Sequence, residues 1–201
     1  IRTNQLLEVL KASREIELSK KLSSSSNYLA ANTKTLEDDE KIGTSTSSAV
    51  DLIEEYINKV LGGANTMVIS KPAFSALRRD RSIINSISIN TTAAQTDVPA
   101  MVSVEAIKDL FMLDNILIGE AVINTGKKGD TPTFHGAWQN DIILLNIDPV
   151  ATTDFGVTYG YSAMYQDWEV YTYDEADAGL KGARMIRPCA RFVDLVATKA
   201  C

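Results

Sequence analysis

Between residues 65 and 149 the apolar pattern changes period twice, and this limits what the chain can fold into. Thr66 to Ile69 is a short, wholly apolar-flanked run with strand propensity. Ser70 follows with the side chain of an N-cap, and Pro72 falls in the first turn of the helix it opens. That helix buries Phe74, Leu77 and Ile84, and carries the paired Arg78 and Arg79. Ser103 caps a second helix over residues 104–113. A strand at 116–124 then ends in Asn124-Thr125-Gly126, and Trp138 precedes an apolar strand at 141–147. One strand, two helices and two further strands describe a small sheet covered by helices.

The flanks add a helix before and a ribbon after. Residues 3–26 hold a broken helical stripe of Leu6, Leu7, Val9, Leu10, Ile16, Leu18 and Leu22, and then a serine run. Residues 27–46 are polar, contain Glu37, Asp38, Asp39 and Glu40, and read as a long exposed connection. Ser48 with Asp51 opens a helix over 49–61 that Gly62 and Gly63 stop. Residues 90–100 read as a polar loop. Beyond 150 the period is close to 2, with strands at 157–161, 164–173, 183–187 and 191–197 and a turn at 174–182. Trp168, Val170 and Thr172 face one way, and Asp167, Glu169, Tyr171 and Tyr173 the other. Helices first and strands later give an α+β class rather than a doubly wound sheet.

Bulk chemistry excludes several functions. With 201 residues and 45% hydrophobic content the chain can bury a sizeable core. A net charge of -6 argues against gripping nucleic acid, which needs a basic face. Its longest apolar runs are too short for a bilayer, and no membrane partner is expected. The chain opens on Ile1 without a signal-peptide pattern, so an upstream segment is expected. Cys189 and Cys201 read as free thiols.

Chemistry-bearing residues do not converge. His135 is the only histidine, and no Gly-x-Ser-x-Gly elbow supplies a nucleophile for it. Gly126-Lys127-Lys128-Gly129 lacks the Ser/Thr and following helix of a phosphate loop, and reads as a turn whose lysines keep an edge soluble. The 37–40 acids lack calcium-loop spacing. No catalytic, cofactor or metal residues are assigned. Arg78, Arg79 and Arg81, expected late in a helix where they complement its dipole, are candidates for intersubunit ion pairs. With Lys127, Lys128, Trp168, Tyr171 and Tyr173 they make up the candidate subunit-interface set.

In their serial order these segments resemble the major capsid proteins of tailed bacteriophages and prophages. The carrying residues are Arg14 to Leu18 in the first helix, Gly62-Gly63-Ala64-Asn65 before the Met67-Val68-Ile69-Ser70 strand, and Phe74-Ser75-Ala76-Leu77. Ile116 to Ala121 with Asn124-Thr125, Trp138 with Ile142 to Leu145, and Phe155-Gly156-Val157-Thr158 complete them. The resemblance implies a peripheral lobe (1–46 and 154–188, spine helix plus long β-ribbon) and an axial lobe (47–153 and 189–201, a sheet flanked by helices). It implies a structural, non-enzymatic coat protein of a virion capsid, made in the bacterial host cytoplasm. Its partners would be copies of itself in hexamers and pentamers, with scaffold, portal or decoration proteins, around DNA bound without sequence specificity. It also implies that loops 90–100 or 126–133 point toward ring centres. The family's N-terminal arm and extended loop are absent here, so this chain alone is expected to form a monomer or small oligomer. The alternatives are an encapsulin-like compartment shell, or a small hydrolase or nucleotide-binding enzyme with a pocket gathering His135, Lys127 or carboxylates.

Overall fold

Strand β1 (Thr66–Ser70) is buried at all five positions, and the rest of the fold is arranged around it. The computed structural model describes residues 2–38, 40–44, 48–88, 101–127, 129–152, 155–177 and 182–201. β1 lies centrally in a three-stranded mixed sheet. Strand β2 (Asn115–Gly119) pairs with it in parallel, Val68 opposite Leu117. The chain reaches β2 through three short helices, the crossover that a parallel pair requires. Two further strands, β3 (Val122–Asn124) and β4 (Phe134–Gly136), form a separate antiparallel hairpin. Strand β5 (Ile142–Leu145) closes the other side of β1, antiparallel, with Val68 opposite Ile143. Strand alternation sends Met67 and Ile69 to one face and Val68 to the other, so each face has its own core.

Helices fill the first face. Helix α2 (Ala49–Lys59) buries Ala49 and Ile53 there. Ser48 Oγ accepts from Asp51 N at its start, and Gly62 and Gly63, with φ of 87° and 79°, turn the chain after it. Helix α3 (Lys71–Leu77) is capped by Ser70 Oγ accepting from Ala73 N at 3.3 Å, and it buries Phe74 and Leu77. Helix α4 (Arg81–Ser88) contributes Ile83, and helix α5 (Val104–Leu110) contributes Ile107.

Two helical expectations are corrected. The helix expected to run from Pro72 through Ile84 breaks at residues 78–80, and the buried residue of its second half is Ile83 rather than Ile84. The break comes from Asp80, whose carboxylate caps α4 by accepting from Ser82 N at 2.9 Å. The expected 104–113 helix stops at Leu110 because Met112, at φ 53°, takes the left-handed position of a Schellman cap. Met112 N donates to Asp109 O, and Leu113 N donates to Lys108 O.

The polar connection is less exposed than its composition suggests. Ile42 packs on the helix-side core, and Gly43 N donates to Asp80 Oδ2 at 2.9 Å. Asp39 and residues 90–100 lie outside the described residues, as do positions 45–47 and 153–154 at the expected lobe boundaries.

The other face of the sheet meets helix α1 (Arg2–Leu22) and the ribbon. Leu22, Val68, Ile143, Leu145, Tyr159 and Cys201 form this second core, with Leu18, Tyr28, Trp138 and Val196 packed on it. Each fully buried aliphatic side chain contributes about 1.5–3 kcal/mol. The ribbon has two strands only, β6 (Gly160–Glu175) and β7 (Ala183–Val196), paired antiparallel from Gly160–Val196 to Glu175–Ala183. The separate strands expected at 183–187 and 191–197 are one strand that runs through Pro188, and the strand expected at 157–161 joins the one at 164–173. Pro188 is tolerated because β7 pairs on one side only, and proline is confined to such edges. Two register irregularities, at Met164/Gln166 and Gln166/Glu169, let β6 continue where uniform alternation would have failed.

Candidate functional site

Helix α1 holds the base of the ribbon to the body. Arg14 Nη2 reaches Asp194 Oδ1 at 3.3 Å and Ser162 Oγ at 3.1 Å, while its guanidinium lies 4.1 Å from the Phe192 ring centroid. Ser162 Oγ donates to Asp194 Oδ1 as well. Lys21 Nζ donates to Asp194 O at 2.5 Å. All of these partners sit at even positions near the ribbon's base, so they share the face turned toward α1. The same helix grips the sheet: Trp138 Nε1 donates to Glu15 Oε1 at 2.9 Å, and Ser19 Oγ donates to Ala137 O at 3.0 Å. The Trp138 ring lies over Gly119, where a Cβ would stand 2.3 Å from Trp138 Cδ1.

Aromatic packing deepens the anchor. Tyr28 stacks on Tyr159 with ring centroids 5.4 Å apart, and its hydroxyl donates to Leu22 O at 2.7 Å. Burial holds the Tyr28 phenol well above its ordinary pKa, with neighbouring Tyr159 adding to the effect. Burial raises the Tyr159 phenol and the Cys201 thiol too.

Away from α1 the ribbon face is largely exposed among the described residues. Opposite register partners share a face, which gathers Tyr161, Tyr171 and Tyr173 with Arg187, Arg191 and Val193. Tyr161 is 57% exposed, Tyr171 48% and Val193 57%. Gln166 Nε2 donates to Glu169 Oε2 and to Tyr171 Oη, and the Tyr171 hydroxyl donates to Glu169. That last bond raises the Tyr171 pKa and, with Gln166, lowers that of Glu169.

The sequence-assigned interface residues separate onto three regions. Trp168, Tyr171 and Tyr173 are together on β6, but Trp168 is half-buried against Phe192, rings 6.2 Å apart. Arg78 is largely used within the chain: its Nε donates to Val102 O at 2.6 Å and its guanidinium sits over Phe74. Arg79 is exposed in the turn after α3. Arg81 is exposed at the first residue of α4 and not late in a helix, so it opposes the dipole it was expected to complement. The Asp80 cap created that new N-terminus. Lys127 is exposed in the β3–β4 turn, and Lys128 lies outside the described residues.

Reactive groups are dispersed. His135 is exposed on β4 opposite Ile123. Among the described residues no group of three or more His, Cys, Asp or Glu side chains could hold a metal ion. An open depression at the ribbon tip is lined by Asp174, Glu175, Ala176, Gly182, Ala183 and Arg184, and it contains neither His135 nor Lys127. Among the described residues no helix is long and apolar enough to cross a membrane. Arg14, Phe192 and Asp194 had no signal beyond spacing that would have joined them across the chain.

Fold and surface together define an α+β protein whose distinctive described parts are a helix-anchored ribbon and a covered sheet. Comparison with known proteins gives that class its relatives. The chain is 25% identical over 194 residues to a major capsid protein of Pseudomonas phage JBD67, covering 96% of this chain and 61% of that protein. It is 27% identical over 163 residues to a major capsid protein of Burkholderia phage BcepMu, covering 77% of this chain and 50% of that protein. A crystal structure of a phage-related protein from Bordetella bronchiseptica RB50 superposes with a TM-score of 0.77 at 16% identity, covering 98% of this chain and 62% of that one. No protein-family model matches. The resemblance to phage major capsid proteins therefore extends over most of this chain, which spans between half and two thirds of those relatives' lengths.

Proposed function

We propose that this chain is the main part of a structural coat protein of a tailed phage or prophage, which assembles in many copies into an icosahedral shell around DNA. The observation that carries the reading is the similarity to a phage major capsid protein across 96% of the chain. The phage origin of both sequence relatives favours a virion shell over an encapsulin-like compartment. The dispersal of His135, Lys127 and the carboxylates supports a structural role over a hydrolase or nucleotide-binding enzyme.

On this reading α1 and the ribbon are the peripheral lobe, and the three-stranded sheet with α2 to α5 is the axial lobe. The Arg14–Ser162 contact supports grouping α1 with the ribbon's first strand, whereas Arg14–Asp194 reaches past residue 188. A boundary at residue 188 falls inside β7, so the strand would pass from one lobe into the other. Copies meet through heterologous contacts around rings of five and six, with scaffold, portal or decoration proteins as further partners. The 126–133 turn, or residues 90–100, would point toward ring centres. A net charge of -6 suits a wall that encloses DNA without gripping it. The host cytoplasm is the place of assembly and the virion capsid the destination.

The test is electron microscopy of the longer protein, expressed in a bacterium with a candidate scaffold. Closed icosahedral shells are expected. Only small particles, with the scaffold present, would overturn the reading.

A further inference from the structure

The ribbon separates charge by strand. β6 carries Asp167, Glu169, Asp174 and Glu175 and no Lys or Arg. β7 carries Arg184, Arg187 and Arg191, and its single acid, Asp194, is held by Arg14. Among the described residues none of the three arginines makes an ion pair, although Arg184 is the register partner of Asp174. All three are exposed, as are Asp167 and Asp174. Among the described residues the sheet ends at these two strands, so one edge is acidic and the other basic.

Like charge along an edge discourages the edge from pairing with its own kind. Opposite charge on the two edges permits one arrangement only: the acidic strand of one copy beside the basic strand of the next. We propose that the distal parts of the two ribbon strands, residues 166–175 of β6 and 183–191 of β7, are a head-to-tail contact that binds the ribbon of a second copy of this chain, β6 against β7. The proposal rests on the coat-protein reading only for its place in an assembly, since the charge pattern belongs to this chain alone. Such a contact is heterologous, as ring contacts are. Tyr171 and Tyr173, exposed beside the charges, supply apolar area that desolvates the ion pairs. Pro188 lacks an N–H, so β7 cannot offer an unbroken ladder, and the contact is made by side chains. A salt-sensitive joint made by side chains results, rather than one continuous backbone-bonded sheet.

The experiment is charge exchange read by sedimentation velocity over a concentration series at low and high salt. One variant carries Arg184→Glu, Arg187→Glu and Arg191→Glu. The other carries Asp167→Lys, Asp174→Lys and Glu175→Lys; Glu169 is kept because it binds Tyr171 and Gln166. Far-UV circular dichroism checks that both are folded. The parent should associate, more weakly as salt rises. Each variant alone should associate at least about tenfold less tightly, because like charges then face each other. An equimolar mixture of the two, and one chain carrying all six changes, should recover association. A monomeric parent, variants that associate as the parent does, or a mixture that fails to recover would overturn the proposal. So would an arginine variant that loses a duplex oligonucleotide while keeping self-association. Shells formed by the longer protein with one charge exchange would sink the ribbon contact and leave the coat reading standing. Ribbon association without any shells would do the reverse.

Discussion

Replacing Gly119 by Ala should destabilise the protein, although the same change elsewhere often stabilises. Gly119 lies on β2 without a left-handed φ, so its backbone accepts any residue. Reduced freedom of the unfolded chain would then favour Ala by about 0.4–1 kcal/mol. The added Cβ would stand 2.3 Å from Trp138 Cδ1, 2.4 Å from Cγ and 2.6 Å from Nε1. Carbon atoms rest at about 3.5–4.0 Å, so the indole must retreat by about 1 Å. It cannot do so freely, because its Nε1 is 2.9 Å from Glu15 Oε1 and its ring packs on the second core. Overpacking costs about 1–3 kcal/mol. Stretching a partly buried hydrogen bond to a carboxylate adds about 1–2 kcal/mol. Net of the entropic gain, the loss is about 2–4 kcal/mol, or a Tm lowered by about 5–15 °C for a chain of this size. Urea and thermal unfolding followed by tryptophan fluorescence would measure it. In a Trp138→Leu background the same substitution should cost less than about 1 kcal/mol. A G119A protein within about 0.5 kcal/mol of the parent, or an equal cost in both backgrounds, would refute the reasoning.

Four further outcomes are expected. Met112→Gly should raise stability by about 0.5–1 kcal/mol in urea unfolding, since a non-glycine residue occupies the left-handed cap and its side chain is 90% exposed. Asp80→Ala should cost about 2–4 kcal/mol, because it removes the α4 cap and leaves Gly43 N without its carboxylate; equal midpoints would contradict this. Arg14→Leu should speed amide exchange at the ribbon base, residues 160–164 and 192–196, more than in β1; uniform exchange would show that the ribbon is not held there. The raised Tyr28 pKa means that its contribution is complete below the ordinary phenol value of about 10 and is lost as pH climbs above it. Alkaline titration should therefore show a part of the tyrosinate absorbance that appears only with unfolding, and Tyr28→Phe should reduce that part, with buried Tyr159 supplying the remainder.

The sheet and its helices were legible because their signals are local. Ser48, Ser70 and Ser103 each accept from the backbone three residues on, as the cap pattern requires. The ribbon's strands could be seen but not their lengths. Pro188 looked like an end because a lone sequence does not tell an edge from an interior. Asp80 was hidden among arginines, where a charged turn and a buried cap look alike until Gly43 is found beside it. The interface set was assembled from residue type alone. Type does not reveal that Arg78 is tied to Val102 while Arg187 and Arg191 are exposed on the ribbon. Anchor residues such as Arg14 and Asp194 meet only in three dimensions, and periodicity carries no trace of that meeting.

The two cores on either side of β1 differ in how much chain each needs. Met67 and Ile69 find most of their neighbours between Ala49 and Ile118, all of it near them in sequence. Val68 waits for Ile143, Leu145, Tyr159 and Cys201, and for Leu22 from the opposite direction. During synthesis the helix side can close while the other side still presents an apolar strand face to the cell. The same asymmetry persists after folding. The late core also buries fewer residues than the helix-side core, so it is the one expected to open first under stress. A molecule in that half-open state would keep its sheet and helices while losing its grip on the ribbon. It would be a folded body with a loose limb, and it would be vulnerable to a protease or a chaperone.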